Sequence, residues 1–367
     1  MNLLVPNLGS TSLKYQIIDM PSERAIAKGR MERVTNYREA IATIGTGDTP
    51  IHAVALKAVL AGDRYRGTFL VDDDLIAAMQ QFLPAAPAHN AIYLTAIDAF
   101  RDAMPGVPLV CAFEPEFHRT VPDYARTYGL PAQWREEGIV RYGYHGASHE
   151  YIAGKSADLL GRNAKLVSCH LGGSSSMCAI VDGKSIDTTM GFSPQSGLEN
   201  ATRHGELDAF AVLYMLERHG WTTQEVRKQL ASEGGLAGLS GIPGGDMRDL
   251  ETAAEAGNER AALARQVLIY QVKKALGAFA AAMGGLEAIA FTGGIGENSP
   301  SLRASVCEGL DFLGVKLDPA ANATGTGDRV ISAPDSRVTV FILATNEEIV
   351  VARRAYRILT QAGAATT

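Results

Sequence analysis

The stretch NLGSTSLK, residues 7–14, sets one glycine, three hydroxyls in a row and a lysine between two apolar runs. Asn7, Ser10, Ser12 and Lys14 are groups that can hold a phosphate chain or its metal ion. An ordinary polar β-turn uses the same residue types, and this segment alone leaves the two readings open. It lacks the Asn-Gly or Asp-Gly of a plain hairpin. A second run, HLGGSSSMCAIVD from His170, aligns with NLGSTSLKYQIID from Asn7 without a gap. Leu8, Gly9, Ser12, Ile17 and Asp19 meet Leu171, Gly172, Ser175, Ile180 and Asp182. A third run, AIAFTGGIGENSP, carries Gly293, Gly294 and Gly296, which would let a ligand approach the backbone closely. It comes near the dinucleotide fingerprint GxGxxG but lacks the last glycine. His145 and His149 stand four apart, yet without HExxH or a third nearby ligand no zinc site is expected. Arg203, Asp208, Asp246, Arg248 and Asp249 are the charges that glycine- and proline-punctuated loops present.

The elements that must position these groups follow from hydrophobic pattern. Val5 before the first turn, and Leu13, Tyr15, Ile17 and Ile18 after it, suit two β-strands. Two such β-turn-β units starting at Asn7 and His170 are too far apart for a solenoid repeat and suit two halves of one topology. That duplication predicts two turns facing each other across a cleft and gripping one phosphate chain. Ala288–Phe291 reads as a strand leading through the glycines into a helix that opens near Asn298–Pro300, with Asn298 or Ser299 as cap. The clearest helix, GNERAALARQVLIYQVKKALGAFAAAMG, places Val267, Leu268, Val272, Leu276 and Phe279 on its core face.

With 367 residues, 46% of them hydrophobic, the chain can build two domains with real cores. A net charge of −6 without a basic block argues against nucleic-acid binding. No apolar run approaches the roughly 18 residues of a membrane span, and Met1 leads straight into a strand-like run rather than a signal segment. Cys111, Cys169, Cys178 and Cys307 are scattered, as reduced thiols of a cytoplasmic protein would be.

Taken together, NLGSTSLKYQIID, FHRTVPDYA, RYGYHGASHEYIA, HLGGSSS, DTTMGFSPQSGLENATRHGELD, GLSGIPGGDMRDL, FTGGIGENS and ATNEEIVVAR resemble the acetate kinases, with the related propionate and butyrate kinases. They occur in that family's order, from Asn7 to Arg353; residues 20–50 look shortened. The resemblance implies an α/β fold of two actin-like (ribonuclease H-like) domains of duplicated topology with an interdomain cleft. One would comprise residues 1–115 plus 349–367, completed by the C-terminal helix. The other, residues 116–348, would bind the nucleotide. The implied activity is reversible phosphorylation of a short-chain carboxylic acid by ATP, with Mg²⁺ or Mn²⁺, in a homodimer.

By the same resemblance, Asn7, Ser10, Ser12 and Lys14 belong to the N-terminal phosphate turn. His170, Gly172, Gly173 and Ser174 match the second phosphate loop, where Gly173 stands in place of the usual asparagine. Asp246, Met247 and Arg248 match residues beside the nucleotide base. Gly293, Gly294, Ile295, Gly296 and Asn298 match the adenosine pocket. Glu347, with Asn7, matches the metal site, and Arg203 and His145 the pair that stabilises the phosphoryl group in flight. A carboxylate needs no strong base, so such chemistry rests on positioning and positive charge. The acyl end departs from the family. Lys57 replaces the substrate-binding arginine, Leu60 and Ala61 replace His and Gly, and Glu114 replaces the catalytic aspartate. In the acyl pocket Val59, His89 and Pro194 match, while Ala88 replaces a leucine and Tyr144 a phenylalanine. Ala88 would open room for a three- or four-carbon acid, and the Tyr144 hydroxyl would add a polar group to the pocket. A non-catalytic nucleotide-binding paralogue is the alternative these departures raise. A nicotinamide dehydrogenase leaves the duplicated turn unexplained.

Overall fold

β1 (Asn2–Leu8) and β2 (Ser12–Asp19) form an antiparallel hairpin whose last pair is Leu8 with Leu13. The computed structural model describes residues 1–9, 12–45 and 49–364, the side chains at positions 87, 88, 363 and 364 excepted. β3 (Arg24–Glu32), β4 (Ala53–Ala58), β5 (Thr68–Leu70) and β6 (Leu109–Phe113) complete a six-stranded sheet in the order β3-β2-β1-β4-β6-β5. The second sheet, order β11-β12-β10-β7-β8-β9, repeats the scheme. It is built from β7 (Leu166–His170), β8 (Ser176–Val181), β9 (Lys184–Thr188), β10 (Ala288–Thr292), β11 (Arg329–Val330) and β12 (Thr339–Ile342). In each sheet three antiparallel strands lead into parallel ones: β1 pairs with β4 and β4 with β6, as β7 pairs with β10 and β10 with β12. Central parallel strands are covered on both faces, which is why β6 (LVCAF) and β10 (AIAFT) are wholly buried.

The two hairpins are not identical at their tips. His170 pairs with Ser176, so five residues span the second turn, where four span the first. The reason is that Leu171 gives its backbone to the third glycine run. Its N–H donates to Thr292 O at 2.9 Å, and its carbonyl accepts from Ile295 N at 2.8 Å and Gly296 N at 3.0 Å. That run is itself a helical turn, Gly293–Asn298, not the open loop its glycines suggest. The helix Pro300–Cys307 follows, capped by Ser299 and opened by Pro300 as its sequence predicts.

The helix Glu347–Ala364 returns to the first sheet, where Ile349, Val350, Val351 and Ala355 pack with Leu3, Val5, Val110 and Ala112. The helix Gly146–Leu160 lies between the sheets, with Ala147 in that cluster and Ile152 and Ala153 against β7 and β10. Val140, Tyr142, Tyr144 and Met190 pack into the first sheet's core, so the halves interdigitate. The long helix Glu259–Met283 buries Leu268, Val272, Leu276 and Phe279 in the second core, while Val267 is half-buried. Among the described residues no helix is long and apolar enough to cross a membrane.

One buried cation ties the C-terminal helix to this frame. Arg354 is almost fully buried, and its guanidinium takes both Nε and Nη2 to Glu150, with Phe113 O at 3.4 Å and Glu116 at 3.6 Å. Removing one partner of a buried pair leaves the other uncompensated. Arg354→Met should therefore lower the unfolding free energy in urea by about 3 kcal/mol, the low end for such pairs because Glu150 stays partly exposed. Arg354→Lys should recover only part of the loss, since lysine cannot make the two-pronged contact. A loss under about 1 kcal/mol would show that the apolar face alone holds the helix.

Candidate active site

The second turn, the third glycine run and the loop before helix Met247–Glu255 enclose a cavity of about 630 Å³ lined by Gly172, Gly173, Asp246, Met247, Arg248, Gly294, Ile295 and Asn298. Gly293 and Gly296 belong to the same helical turn as the lining residues Gly294 and Ile295. Gly293 has φ 79°, and a Cβ there would lie 2.7 Å from Leu171 O, so glycine is required. Asn298 closes the turn by donating to Gly294 O at 2.9 Å. From behind, the buried Arg303 donates to the carbonyls of Gly296 at 2.8 Å and Glu297 at 3.0 Å. Asp246 caps its helix, and the Arg248 side chain at 2.6 Å holds its carboxyl down at about 2. Ser174 is half-buried in the second turn, whose Ser175 N–H donates to Asn200 Oδ1 at 2.6 Å. Glycines, backbone amides and one apolar wall are what a nucleotide's phosphates and base need.

A chain of charged groups lies at the junction of the sheets. Lys57, on β4, contacts Glu347 at the start of the C-terminal helix and stands 3.4 Å from Glu114 at the end of β6. Burial raises both carboxyls. Lys57 and His170 outweigh it at Glu347, whose pKa falls, while burial wins at Glu114, whose pKa rises. Burial opposes the Lys57 charge, but the two carboxylates together push its pKa well above the ordinary value. The second Glu114 oxygen, Oε2, is buried without a hydrogen-bond partner. Glu114 also presses on the neighbouring helix, since a Cβ at Gly146 would lie 2.0 Å from its carbonyl oxygen.

His145 begins that helix in the left-handed region, φ 56°, and its ring stacks on His170 with centroids 4.3 Å apart. Burial, then His170, His149, Lys57 and Arg203, push the His145 imidazole well below its ordinary pKa. His170 accepts or donates through Nδ1 to Ser148 Oγ at 2.8 Å. Burial lowers Arg203 to about 10, and its Nη1 donates to Pro194 O at 2.9 Å. His89 sits in the same field: burial, Arg203 and Lys57 hold it at about 4, and its Nδ1 is unpartnered. Lys57, Arg203, His89, His145, His170, Glu114 and Glu347 thus form one electrostatic neighbourhood. Val59 and Tyr144 are buried in the adjoining core. The Tyr144 hydroxyl does not add a polar group to the pocket as its sequence suggests, because it donates to Phe192 O at 2.6 Å.

Other expected residues fall differently. Asn7 faces the C-terminal helix, donating to Glu348 Oε1 at 2.9 Å. Ser12 is half-buried, with its carbonyl taking the Gly9 N–H at 2.8 Å, while Lys14 stands exposed on β2 opposite Asn7. Ser10 and the side chain of Ala88 lie outside the described residues. Glu347, and separately Asn7 with Glu348, offer the hard oxygen donors that suit Mg²⁺ or Mn²⁺, and the Lys57 ammonium against Glu347 shows that this carboxylate accepts a cation. Among the described residues no cluster of three His, Cys, Asp or Glu groups is poised for a metal, so phosphate and water oxygens would complete such a site.

Residues 41–353 match the profile of the Acetokinase family. The chain belongs to that family. It is 41% identical to an acetate kinase of Caldanaerobacter subterraneus over 96% of this chain and 98% of that protein. A solved acetate kinase from Porphyromonas gingivalis superposes with a TM-score of 0.87 at 31% identity, covering 98% of this chain and 99% of that one. A propionate kinase from Francisella tularensis gives 0.87 at 28% identity over 96% and 98%. The fold is therefore the actin-like pair of duplicated α/β domains.

Sequence reasoning passed over Glu251, which lines the cavity one turn after Met247 and accepts the Ser299 hydroxyl at 2.6 Å. Helical spacing from Met247 was its signal. It also passed over Tyr93, which feels Lys57, Glu114 and Glu347 from the helix Pro87–Ala103 and has its phenol raised mainly by burial.

Lys57→Met would leave Glu114 and Glu347 around one vacated position. Both would then keep a proton in the folded chain that they release when unfolded, so their folded pKa values are the raised ones. Stability carried by a raised carboxyl is present below the unfolded value, about 4.3, and is lost as pH rises through the folded value. The variant's melting temperature should trail wild type by a gap that widens from pH 5 to pH 8. A gap independent of pH would show that the charge cluster does not govern the site.

Proposed function

We propose that the chain transfers a phosphoryl group between ATP and a short-chain carboxylic acid, giving an acyl phosphate and ADP, reversibly and in line. The observation that carries this is the meeting of two environments. Gly172, which lines the glycine-rich cavity, is two residues past His170 at the end of β7, and His170 lies in the field of Lys57 and Glu347. In this reading Gly172, Gly173, Gly294 and Ile295 receive the nucleotide, and Lys57 takes the acid's carboxylate in place of an arginine. Arg203 and His145 meet the equatorial oxygens, one with charge and one with a hydrogen bond. Glu347 and Asn7 would hold the divalent ion, which would supply positive charge beside the phosphoryl group. Glu114, with one oxygen unpartnered, orients the Lys57 ammonium. Residues 1–115 with 349–367 would act as one lobe and 116–348 as the other. Supporting this, the C-terminal helix packs on the first sheet. Four free buried cysteines fit a cytoplasmic setting.

One observation favours a rival, a nucleotide-binding chain without turnover: Lys57 is already satisfied by two protein carboxylates. Incubation with Mg-ATP, hydroxylamine and a panel of two- to five-carbon acids separates the two. Acyl hydroxamate should form, with a three- or four-carbon acid ahead of acetate. The preference should be graded, because one methylene is worth about 10–200-fold. Arg203→Ala should lower kcat by about 10²–10³-fold. ATP binding with no hydroxamate from any acid supports the rival, and an effect of Arg203→Ala confined to KM for ATP would make that residue a binding group only.

The homodimer is proposed on a separate feature. The helix Ala209–His219 reads AFAVLYMLERH yet buries no residue, and it exposes Phe210, Leu213 and Tyr214. Apolar faces of this kind are uncommon on monomers. Light scattering should give twice the chain mass, and Phe210→Asp with Tyr214→Asp should halve it. A monomeric wild type would overturn the assignment.

A further inference from the structure

Three buried side chains behind His145 form with it a continuous chain of hydrogen bonds. Ser168 Oγ lies 2.9 Å from His149 Nδ1, His149 Nε2 lies 2.9 Å from Ser176 Oγ, and Ser176 Oγ lies 2.8 Å from His145 Nδ1. The fold sets this out simply. Ser176 pairs with His170 across β7 and β8, and Ser168 is two residues before His170, so all three point to one face of the sheet. His145 and His149 are one turn apart on the helix that covers that face.

The proton count limits what such a chain can do. Each hydroxyl and each neutral imidazole brings one proton, and three contacts use three of the four. The fourth emerges at one end, or on Ser176 where that hydroxyl accepts from both rings, an arrangement that also leaves His145 Nε2 bare. If the protons run from Ser168 toward the cleft, every Nδ1 accepts and the spare proton sits on His145 Nε2. If they run the other way, His145 Nε2 carries a lone pair. His118 shows the contrast. Its Nε2 meets the carbonyl of Tyr144 at 3.0 Å, which only accepts, so that ring is fixed as an Nε2–H donor. The chain behind His145 ends on hydroxyls and can reverse as a unit. Burial holds His145 and His149 below their ordinary pKa, so both rings are neutral near pH 7.

We infer that Ser168, His149 and Ser176 are positioning residues that set the tautomer of His145, so that a neutral Nε2–H faces an anionic phosphoryl group in the cleft. The relay rests on the reading of His145 as the group that meets that phosphoryl. It supplies a hydrogen bond without a carboxylate behind the ring, and so without making an imidazolium beside Lys57 and Arg203. A different group at position 149 should interrupt the chain even where the helix is undisturbed.

The test begins on the wild-type protein, with ¹⁵N-labelled histidine and inorganic phosphate plus Mg-ADP as the probe. His145 should show a protonated Nε2 and a bare Nδ1, and His149 the same. His145 protonated at Nδ1, or at both nitrogens, overturns the relay whether or not any acid is turned over. An enzyme inactive on every acid sinks the proposed reaction but leaves this readout intact. Among variants, His149→Phe and Ser176→Ala should lower kcat about tenfold or more with KM for ATP little changed. His149→Gln should restore part of it, because its amide can donate to Ser176. If His149→Phe leaves both kcat and the His145 tautomer unchanged, the relay is wrong. If it does not fold, the wild-type spectrum decides.

Discussion

Lys57 leaves the interior of β4, an otherwise apolar strand, and reaches Glu347 on one side and Glu114 on the other. Each partner comes from a different element: the first residue of the C-terminal helix, and the residue that follows parallel β6. A charge so placed is stable only while its partners are in position, because desolvating an unpaired ammonium costs several kcal/mol, about as much as a domain's margin. The cleft's geometry is therefore coupled to the docking of the last helix on the first sheet. Arg354 strengthens that docking from the other side, through Glu150 on the helix that begins at His145. The Lys57–Glu347 contact thus joins the start of the C-terminal helix to β4, beside the apolar face that packs on the first sheet.

Duplication explains the frame but not the site. Both halves begin with an antiparallel hairpin and continue into parallel strands, yet the hairpins differ by one residue in how their tips pair. In the second half, Leu171 turns its amide and carbonyl toward the Gly293–Asn298 turn, so the tip opens and its glycines line a cavity. In the first half, Asn7 and Leu8 keep their strand partners, and the Asn7 side chain turns toward Glu348. One backbone register thus separates a tip whose glycines line a cavity from a strand end whose Asn7 faces Glu348.

What the sequence made legible follows from what each signal measures. The strands on either side of the two turns, the long helix and the Ser299–Pro300 helix start were readable, because burial and capping are local and periodic. The helical turn at Gly293–Asn298 was not readable, since glycine disfavours helices and only the contact with Leu171 selects it. Motif matching grouped Lys57, Glu114, His145, Arg203 and Glu347, and these come together in space. It could not show that Lys57 would be held by Glu347, a partner 290 residues away. The Tyr144 hydroxyl misled for a related reason: its acceptor, Phe192 O, lies on a distant loop and removes the polarity that the residue type implies.

The charge composition of the cleft gives the histidines a reason to be histidines. Lys57 and Arg203 bring two positive charges, and Glu114 and Glu347 two carboxyls, one of which burial drives toward its neutral form. A third permanent cation at position 145 would face Lys57 and Arg203 across a poorly solvated space and be repelled by both. An imidazole avoids that cost. Buried and stacked on His170, it stays neutral and still offers a directed N–H. Charge compensation for an incoming anion can then be left to Arg203, while the histidines fix direction. The serines behind the rings follow from the same constraint, because a hydroxyl can satisfy Nδ1 without adding the negative charge that would draw a proton onto the ring.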